Sequence, residues 1–456
     1  MFPADAVPEA VESIYANIKE RHPYPATFEG LRALDAALAQ VQGEVKAVVG
    51  GKDSIPYYAF VGLVAPLQEA TNCGHLILET YLDSTETQAV RGNIYPLRMI
   101  QVEAGDFVLY RGLKTTTDSL PPGTVVSTIN GRKIGPLLKE IAPFSGINDN
   151  RNEAALLYKV AYYPMHLYQS YYGPQDSIVI SATDDVGVAQ NYIVRAKKTK
   201  YIDPKKNKTP IDQTLKFEFT EDGATGILTI KKFSAYKFSD GNYYKFLRNV
   251  FDTLKTSGTN QLIIDIRNNG GGNSNRINTL YHYLADEKFY FTADARMTGP
   301  ARAEPGENAR TTRRREAGAV TRRDRKLQRR ISKSLNPAKE KKRYTGSVVV
   351  LINELSFSAS GLFARMVQGY ERGKLVGGVS GASANIMYGA SKSGDPILIG
   401  PNKDFELKVN TIGLLPKYPI EGNITPDYIV RPTLEGIRAG RDEQMEKALE
   451  IVSMPE

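Results

Sequence analysis

The stretch Ser347-Val-Val-Val-Leu-Ile-Asn-Glu-Leu-Ser-Phe-Ser-Ala-Ser-Gly361 joins an apolar β-run to a segment with helical spacing, Leu362-Phe-Ala-Arg-Met-Val367. Its three serines fall where the predicted strand turns sharply into the predicted helix. Such a turn exposes a side-chain oxygen at the carboxyl edge of a sheet and directs the free N–H groups of the helix start towards it. A nucleophilic serine needs both features. The structural alternative is a serine N-cap with two filler serines.

A glycine-rich loop lies upstream, in Gln261-Leu-Ile-Ile-Asp-Ile-Arg-Asn-Asn-Gly-Gly-Gly-Asn273. The pattern predicts a buried strand, the loop, and then a helix over 274–284. Glycines permit positive φ and close backbone approach, so their amides can line an anion hole. A dinucleotide or phosphate loop is the rival interpretation, but the G-x-G-x-x-G spacing and the Walker lysine–serine pair are absent. A plain tight turn is the structural alternative.

Together these motifs resemble the C-terminal-processing (tail-specific) serine peptidases, serine peptidase family 41, which include the tricorn core. The matching segments are Asp265-Ile-Arg-Asn-Asn-Gly-Gly-Gly272, Asn353-Glu-Leu-Ser-Phe-Ser-Ala-Ser360, Pro419-Ile-Glu-Gly-Asn-Ile-Thr-Pro-Asp427 and Gly440-Arg-Asp-Glu-Gln-Met-Glu-Lys-Ala-Leu449. The order and spacing of the four motifs make the resemblance specific, and it covers about the C-terminal half. It implies a crotonase/ClpP-like catalytic core.

The resemblance also implies roles for individual residues. Ser358 takes the nucleophile position, and the backbone N–H groups of Ala359 and of Gly270 or Gly271 form the oxyanion hole. Many relatives use a lysine base, but Ser383 stands at the approximate lysine position here. Lys374 and Lys392 are the nearest lysines, and neither has the right spacing.

Another group must therefore accept the serine proton, and histidine suits neutral pH best. His75 follows a glycine ahead of a β-run, which resembles the histidine-using, tricorn-like branch of the family. That branch places the orienting carboxylate in a glutamate–glycine turn, where Glu421 matches. The structural alternatives are a packing histidine and a solvated loop glutamate. The other three histidines, His22, His166 and His282, are predicted to be structural.

The single cysteine, Cys73, stands two residues before His75. Residues i and i+2 of a strand share a face, so a cysteine–histidine pair is a rival nucleophile. Their side chains run side by side, however, and no cysteine-protease signature surrounds them. A small buried hydrophobe is the favoured interpretation. With four histidines and one cysteine, no metal-ligand cluster is visible, and we expect neither a metal nor a cofactor.

The net charge of +9 is confined to one segment. Residues 301–343 hold 16 Lys and Arg against 5 Asp and Glu, so the rest of the chain is slightly acidic. This basic insertion, within 296–344, interrupts the predicted catalytic domain between the glycine loop and the serine turn. It has no aromatic residue for base stacking, so we expect no nucleic-acid partner. A solvated flap is the default, and contact with acidic surfaces is the alternative.

The length allows two or three domains. Residues 1–90 are predicted to form a helical cap that carries His75. Residues 91–203 include Ile129-Asn-Gly131, which resembles a turn of PDZ domains, and are predicted to form a degenerate PDZ-like module. Residues 204–456, where strands and helices alternate, are predicted to form the peptidase domain. The predicted class is therefore α/β within a multi-domain α+β chain.

These features favour a serine endopeptidase that acts on protein or peptide substrates. A catalytically inactive relative that binds peptides or envelope components is the alternative, and a crotonase-type acyl-CoA enzyme is a third class. No stretch is apolar enough to span a membrane, and the N-terminus lacks a signal-like apolar region. Because relatives are mostly exported, the resemblance implies a periplasmic or cell-envelope location.

Overall fold

The computed structural model describes residues 1–24, 28–80, 93–142, 149–162, 168, 171–172, 175–184, 187–198, 214–234, 240–297, 326, 329, 332–389, 397–410 and 412–454. The predicted basic insertion, 296–344, lies largely outside these residues, as does His166. Within the described part of the chain, no helix is both long and apolar enough to cross a bilayer.

The N-terminal region is mainly helical because apolar residues recur at helical spacing, as in Val7, Val11, Ile14 and Ile18, all of which are buried. Its elements are β1 (Phe2–Pro3), α1 (Val7–Arg21), α2 (Phe28–Val49), β2 (Ser54–Ile55), α3 (Tyr57–Glu69) and β3 (Ile77–Thr80). The three helices share one hydrophobic cluster.

The middle region has a hydrophobic cluster of its own, which runs from Tyr95 to Val194. Its elements are β4 (Asn93–Ile94), β5 (Met99–Gln101), β6 (Phe107–Leu109), β7 (Leu113–Lys114), β8 (Ser119–Leu120), β9 (Val125–Ile129), β10 (Arg132–Lys133), α4 (Ile134–Ile141), α5 (Glu153–Tyr162), β11 (Ser177–Thr183), β12 (Ala189–Arg195) and β13 (Lys197–Lys198). Strands β12, β11, β9, β6 and β5 form an antiparallel sheet in that order. Asn130 and Gly131 join β9 to β10 with positive φ at both positions, as a tight hairpin requires.

The C-terminal region is a mixed α/β assembly. Its elements are β14 (Leu215–Phe219), β15 (Thr225–Ile230), α6 (Asp240–Ser257), β16 (Gln261–Asp265), α7 (Ser274–Leu284), β17 (Phe289–Tyr290), β18 (Asp294–Met297), β19 (Ser334–Leu335), β20 (Ser347–Ile352), α8 (Ala359–Gly369), β21 (Lys374–Gly377), β22 (Met387–Gly389), β23 (Ile397–Ile399), β24 (Phe405–Lys408), β25 (Ile412–Leu415), β26 (Tyr428–Ile429), α9 (Leu434–Arg438) and α10 (Glu443–Val452).

The main sheet of this region has the strand order β14-β15-β16-β20-β21-β26, with all pairs parallel except β14–β15. Alternate residues face opposite layers. Leu262, Ile264 and Val350 pack into the cluster that contains α6, α7 and α8. Ile263 and Val349 pack against α10 on the other side. Both faces of the parallel strands are therefore covered, as their continuous apolar sequences require.

Strand β3 leaves the N-terminal helices and pairs with β24, with Leu78 opposite Leu407. As a result, the N-terminal hydrophobic cluster also contains Ile399 and Phe405 from the C-terminal region. This pairing fixes the loop that precedes β3, which carries His75, to the C-terminal region. The predicted α/β class is confirmed, while the three predicted domain boundaries stay predictions.

Candidate active site

Ser358 occupies the turn between β20 and α8 in a strained backbone conformation. It is the N-cap of α8, with φ +56° and ψ −124°. A non-glycine residue held at such angles costs about 1–3 kcal/mol and persists only where the surroundings enforce it. The turn exposes the Ser358 side chain at the carboxyl end of β20, where parallel α/β sheets place their sites.

Hydrogen bonds fasten this turn to the glycine loop after β16. Asn353 Oδ1 accepts from the Asn268 N–H at 2.8 Å, and Asn353 Nδ2 donates to Asn268 Oδ1 at 2.9 Å. Ser356 Oγ donates to the Ile266 carbonyl at 2.9 Å. The Phe357 N–H donates to the Asn269 carbonyl at 3.0 Å. The two sequence motifs are thus one rigid unit.

Gly271 lies directly against the serine turn. A Cβ placed on it would be 2.6 Å from Ser358 Cβ, 2.7 Å from the Phe357 carbonyl oxygen and 2.8 Å from the Ala359 nitrogen. Its φ of +97° also favours glycine. The Gly271 N–H donates to Asn269 Oδ1 at 3.0 Å, so it is already used within the loop. Among the predicted donors, the Gly270 and Ala359 N–H groups have no acceptor in the described part of the chain.

His75 reaches the serine from the N-terminal region. Its Nε2 lies 2.8 Å from Ser358 Oγ. In the tautomer with a proton on Nδ1, the hydroxyl donates to Nε2. The imidazole stacks on the Phe357 ring, with centroids 4.6 Å apart. Burial lowers the pKa of His75 to about 4, so the ring is neutral at neutral pH. Within the described residues, the buried Nδ1 has no hydrogen-bond partner.

Asp149, which the sequence analysis did not identify, is fully buried beside His75. Its Oδ1 accepts from the Gly74 N–H at 2.8 Å, and its Oδ2 accepts from the Ser383 N–H at 3.0 Å. Burial raises the pKa of Asp149 to about 7, and these two N–H donors oppose the rise. An Asp-Asn pair between helices reads as a turn in the sequence, so only the fold reveals its neighbours.

Glu421 forms no hydrogen bond with His75 in the described part of the chain. Its side chain is exposed. The turn itself is close to the site, because the Gly422 carbonyl accepts from Asn150 Nδ2 at 2.7 Å. The structure therefore brings Ser358, His75 and the glycine loop together but leaves Glu421 at the rim.

Cys73, His75 and Asp149 place one donor atom each within 4.8 Å of one another. Burial raises the pKa of the Cys73 thiol, which keeps it protonated, and Asn410 Nδ2 approaches Cys73 Sγ at 3.7 Å. Both Asp149 oxygens accept backbone N–H groups. Each of the three side chains thus has a contact other than a metal ion. We therefore assign the cluster to the serine site and not to a metal site.

The other described histidines have different surroundings. His22 is buried and accepts from the Tyr24 N–H through Nδ1 at 3.2 Å. His282 Nδ1 bonds the Asn336 carbonyl at 2.8 Å, away from the serine turn. Asp265 accepts from the Arg267 backbone and guanidinium and so fixes the end of β16.

Residues 224–391 match the model of a family described as peptidase family S41. The chain therefore contains a peptidase family S41 domain. The peptidase is a serine-type hydrolase, and its substrates are proteins or peptides. The matched region contains the glycine loop and the serine turn, but His75, Asp149 and Glu421 lie outside it. No curated protein matches the sequence.

Solved structures of mature CPAF share the fold of the peptidase. Mature CPAF superposes with a TM-score of 0.68 at 12% identity, covering 98% of this chain and 96% of that chain. Mature CPAF complexed with lactacystin gives 0.68 at 12%, covering 98% of both. The photosystem II D1 C-terminal processing protease gives 0.43 at 13%, covering 95% of this chain and 96% of that chain.

Gly271→Ala is expected to lower kcat/KM of the peptidase by about 10²-fold or more, because the added methyl displaces the serine turn and an ångström-scale misplacement costs that much. Hydrolysis of casein and of a fluorogenic peptide measures the loss. Gly258→Ala is the matched control, since Gly258 has φ +69° and nothing within 4 Å of an added Cβ. Equal activity of the two variants would contradict a close contact between Gly271 and the nucleophile turn.

Proposed function

We propose that the peptidase is an endopeptidase that works through an acyl-enzyme, with Ser358 as nucleophile and His75 as general base. The contact of 2.8 Å between His75 Nε2 and Ser358 Oγ supports this most directly. The two residues are 283 positions apart in the chain, and the contact has the nucleophile–base geometry that activates a serine. The strained φ of Ser358 adds support, because such strain clusters at active sites.

In the acylation step, Ser358 Oγ bonds to the scissile carbonyl carbon while its proton moves to His75 Nε2. The carbonyl electron pair moves to oxygen, and the resulting oxyanion accepts hydrogen bonds from the Gly270 and Ala359 N–H groups. Collapse of this intermediate breaks the C–N bond, and His75 Nε2 gives its proton to the leaving amine. In deacylation, a water adds to the ester carbonyl while His75 takes its proton. Collapse then releases the acid and returns that proton to Ser358 Oγ.

The neutral state of His75 suits this sequence, because a base must be unprotonated before it can accept a proton. The same burial makes the imidazolium formed during the reaction costly unless a negative charge lies nearby. Glu421 is the carboxylate that the family resemblance indicates for this role. It would have to turn inward from its exposed position to serve it.

Location and further partners are also proposals. We propose that the peptidase acts in the periplasm or cell envelope, on the family resemblance alone. The excess of positive charge in the basic insertion, 301–343, favours contact with acidic surfaces or acidic substrate segments. Nucleic-acid binding is not expected, because the insertion has no aromatic residue before Tyr344.

The test is fluorophosphonate labelling of the folded protein, followed by mass spectrometry of its peptides. We expect a single adduct on Ser358, because the reagent reports an activated serine. Heat-unfolded protein is the control and should remain unlabelled. A label on another serine, or none on protein whose circular dichroism shows a folded state, would contradict the assignment of Ser358.

A further inference from the structure

Asp149 connects two segments of the site through its carboxylate. It is 0% exposed, and each of its oxygens accepts one backbone N–H group. One comes from Gly74, the residue directly before His75, at 2.8 Å. The other comes from Ser383, at 3.0 Å, in the segment where lysine-using relatives carry their base. The carboxylate therefore ties the loop of His75 to the segment from which the usual lysine is missing.

The backbone of Asp149 joins the same junction. Its N–H donates to the Gly381 carbonyl at 3.1 Å, and its carbonyl accepts from Asn423 Nδ2 at 3.1 Å. The next residue, Asn150, donates its N–H to the Asn72 carbonyl at 3.2 Å. The backbone at Asp149 is thus anchored from three sides, which fixes the point from which its carboxylate reaches Gly74 and Ser383.

His75 has one ring nitrogen engaged with Ser358 and, among the described residues, one without a partner. The first is Nε2, and the second, Nδ1, is buried. A ring nitrogen of His75 lies within 4.8 Å of a carboxylate oxygen of Asp149. A histidine base needs a group that holds its tautomer and stabilises its imidazolium, and a buried carboxylate is the usual one.

We propose that Asp149 is the positioning residue of His75 in this peptidase, through its hold on the Gly74 N–H and its negative charge beside the imidazole. The inference rests on the proposed function of Ser358 and His75. It assigns to Asp149 the role that the family resemblance gives to Glu421. The two carboxylates differ in burial. Asp149 is buried beside the ring, whereas Glu421 is exposed at the rim.

Among the described residues, several titratable groups lie at or near this junction, and one of them, Glu354 of the serine turn, also has a pKa that burial raises to about 7. Cys73 and His75 lie beside Asp149, and His22 at the end of α1 interacts electrostatically with His75. Burial raises the pKa of Cys73 and lowers that of His22 to about 3, so both are neutral at neutral pH. Burial also raises the pKa of Asp149 to about 7. The carboxylate therefore gains its charge as pH rises through about 7.

The test compares Asp149→Asn with Glu421→Gln by the pH dependence of kcat/KM and of fluorophosphonate labelling, normalised to folded protein. Asp149→Asn is expected to lose about 10²–10⁴-fold at pH 8, as when a base loses its orienting charge. In the wild type, kcat/KM is expected to rise near pH 7, and this variant lacks that rise. In both proteins, kcat/KM is expected to fall below about pH 4, where His75 becomes protonated. Glu421→Gln is expected to keep the rise near pH 7.

Asn423→Ala is the matched control for a merely structural role. It removes a hydrogen bond to the Asp149 carbonyl and leaves the carboxylate untouched. It is expected to lower Tm without changing the shape of the pH profile. A wild-type profile in Asp149→Asn, or the same loss in Asn423→Ala, would overturn the proposal. So would a loss of the limb near pH 7 in Glu421→Gln alone.

A measurement on the wild-type protein keeps the proposal testable if Asp149→Asn does not fold. Ionisation of the Asp149 carboxylate, which lies within 4.8 Å of a ring nitrogen of His75, should give a shift near pH 7 in the imidazole proton resonances that are absent from His75→Gln. The absence of this shift from the wild type across pH 5–9 would overturn the proposal. Failure of the proposed function would look different, because wild-type protein would then show no labelling at Ser358 at any pH.

Discussion

Ser358→Ala is expected to lower kcat by about 10⁵-fold or more and to leave the fold intact. The substitution removes the only atom that bonds to the acyl group, and loss of a serine nucleophile has effects of this size. Alanine and serine both carry a Cβ, so the strain at φ +56° is the same in both. The free energy of unfolding should therefore stay within about 0.5 kcal/mol of wild type. Casein hydrolysis and thermal unfolding, measured on the same preparation, provide the two values.

Ser360→Ala is the matched control two residues along the chain. Ser360 is buried, and its Oγ has no hydrogen-bond partner in the described residues. Its removal leaves no new unsatisfied group, so the variant should keep wild-type activity. A Ser358→Ala protein that still cleaves casein would exclude Ser358 as nucleophile. A Ser360→Ala protein without activity would show that the two hydroxyls had been assigned the wrong way round.

His75→Ala is expected to abolish fluorophosphonate labelling of Ser358 and to lower kcat/KM by about 10⁴-fold or more. Without the imidazole, no base lies within hydrogen-bond distance of Ser358 Oγ among the described residues, and a serine hydroxyl alone is a weak nucleophile. The rate of labelling at pH 8 measures activation of the serine without the complication of substrate binding.

His282→Ala is the control for the loss of a histidine as such. His282 bonds the Asn336 carbonyl, away from the serine turn, and the variant should label at the wild-type rate. Labelling of His75→Ala at the wild-type rate would show that the contact at 2.8 Å has no part in activating Ser358. Partial loss, with an unchanged pH profile, would assign His75 to packing against Phe357.

The serine turn and the glycine loop could be predicted from the sequence because each is encoded locally. The continuous run of β-branched and apolar residues before Asn353 and the glycines after Asp265 specify strand, turn and helix within a few positions. Parallel pairing of β16 with β20 then places both loops at one edge. The pairing of His75 with Ser358 came from family resemblance, since no local pattern relates residues so far apart.

Asp149 could not be predicted, because its chemistry depends on burial and on neighbours distant in the chain. Its contacts reach back to Gly74 and forward to Ser383 and Asn423. Glu421 shows the converse. Its glutamate–glycine motif is plain in the sequence, but the position of its side chain depends on packing that the motif does not determine. From the sequence, a helical cap is predicted over 1–90 without a partner in the C-terminal region. In the structure, helices α1–α3 share a hydrophobic cluster with β24.

The pairing of β3 with β24 also sets the moment in synthesis at which the enzyme can begin to work. A growing chain contains His75 early and Ser358 much later, yet the strand that seats the histidine loop is completed only by residues 405–408. Chains emerge from the ribosome N-terminus first, so His75 and Ser358 can be brought together in this way only after residues 405–408 have been made. We therefore expect a polypeptide that ends between residues 358 and 405 to hold both side chains without the strand that seats the histidine loop, and to be inactive.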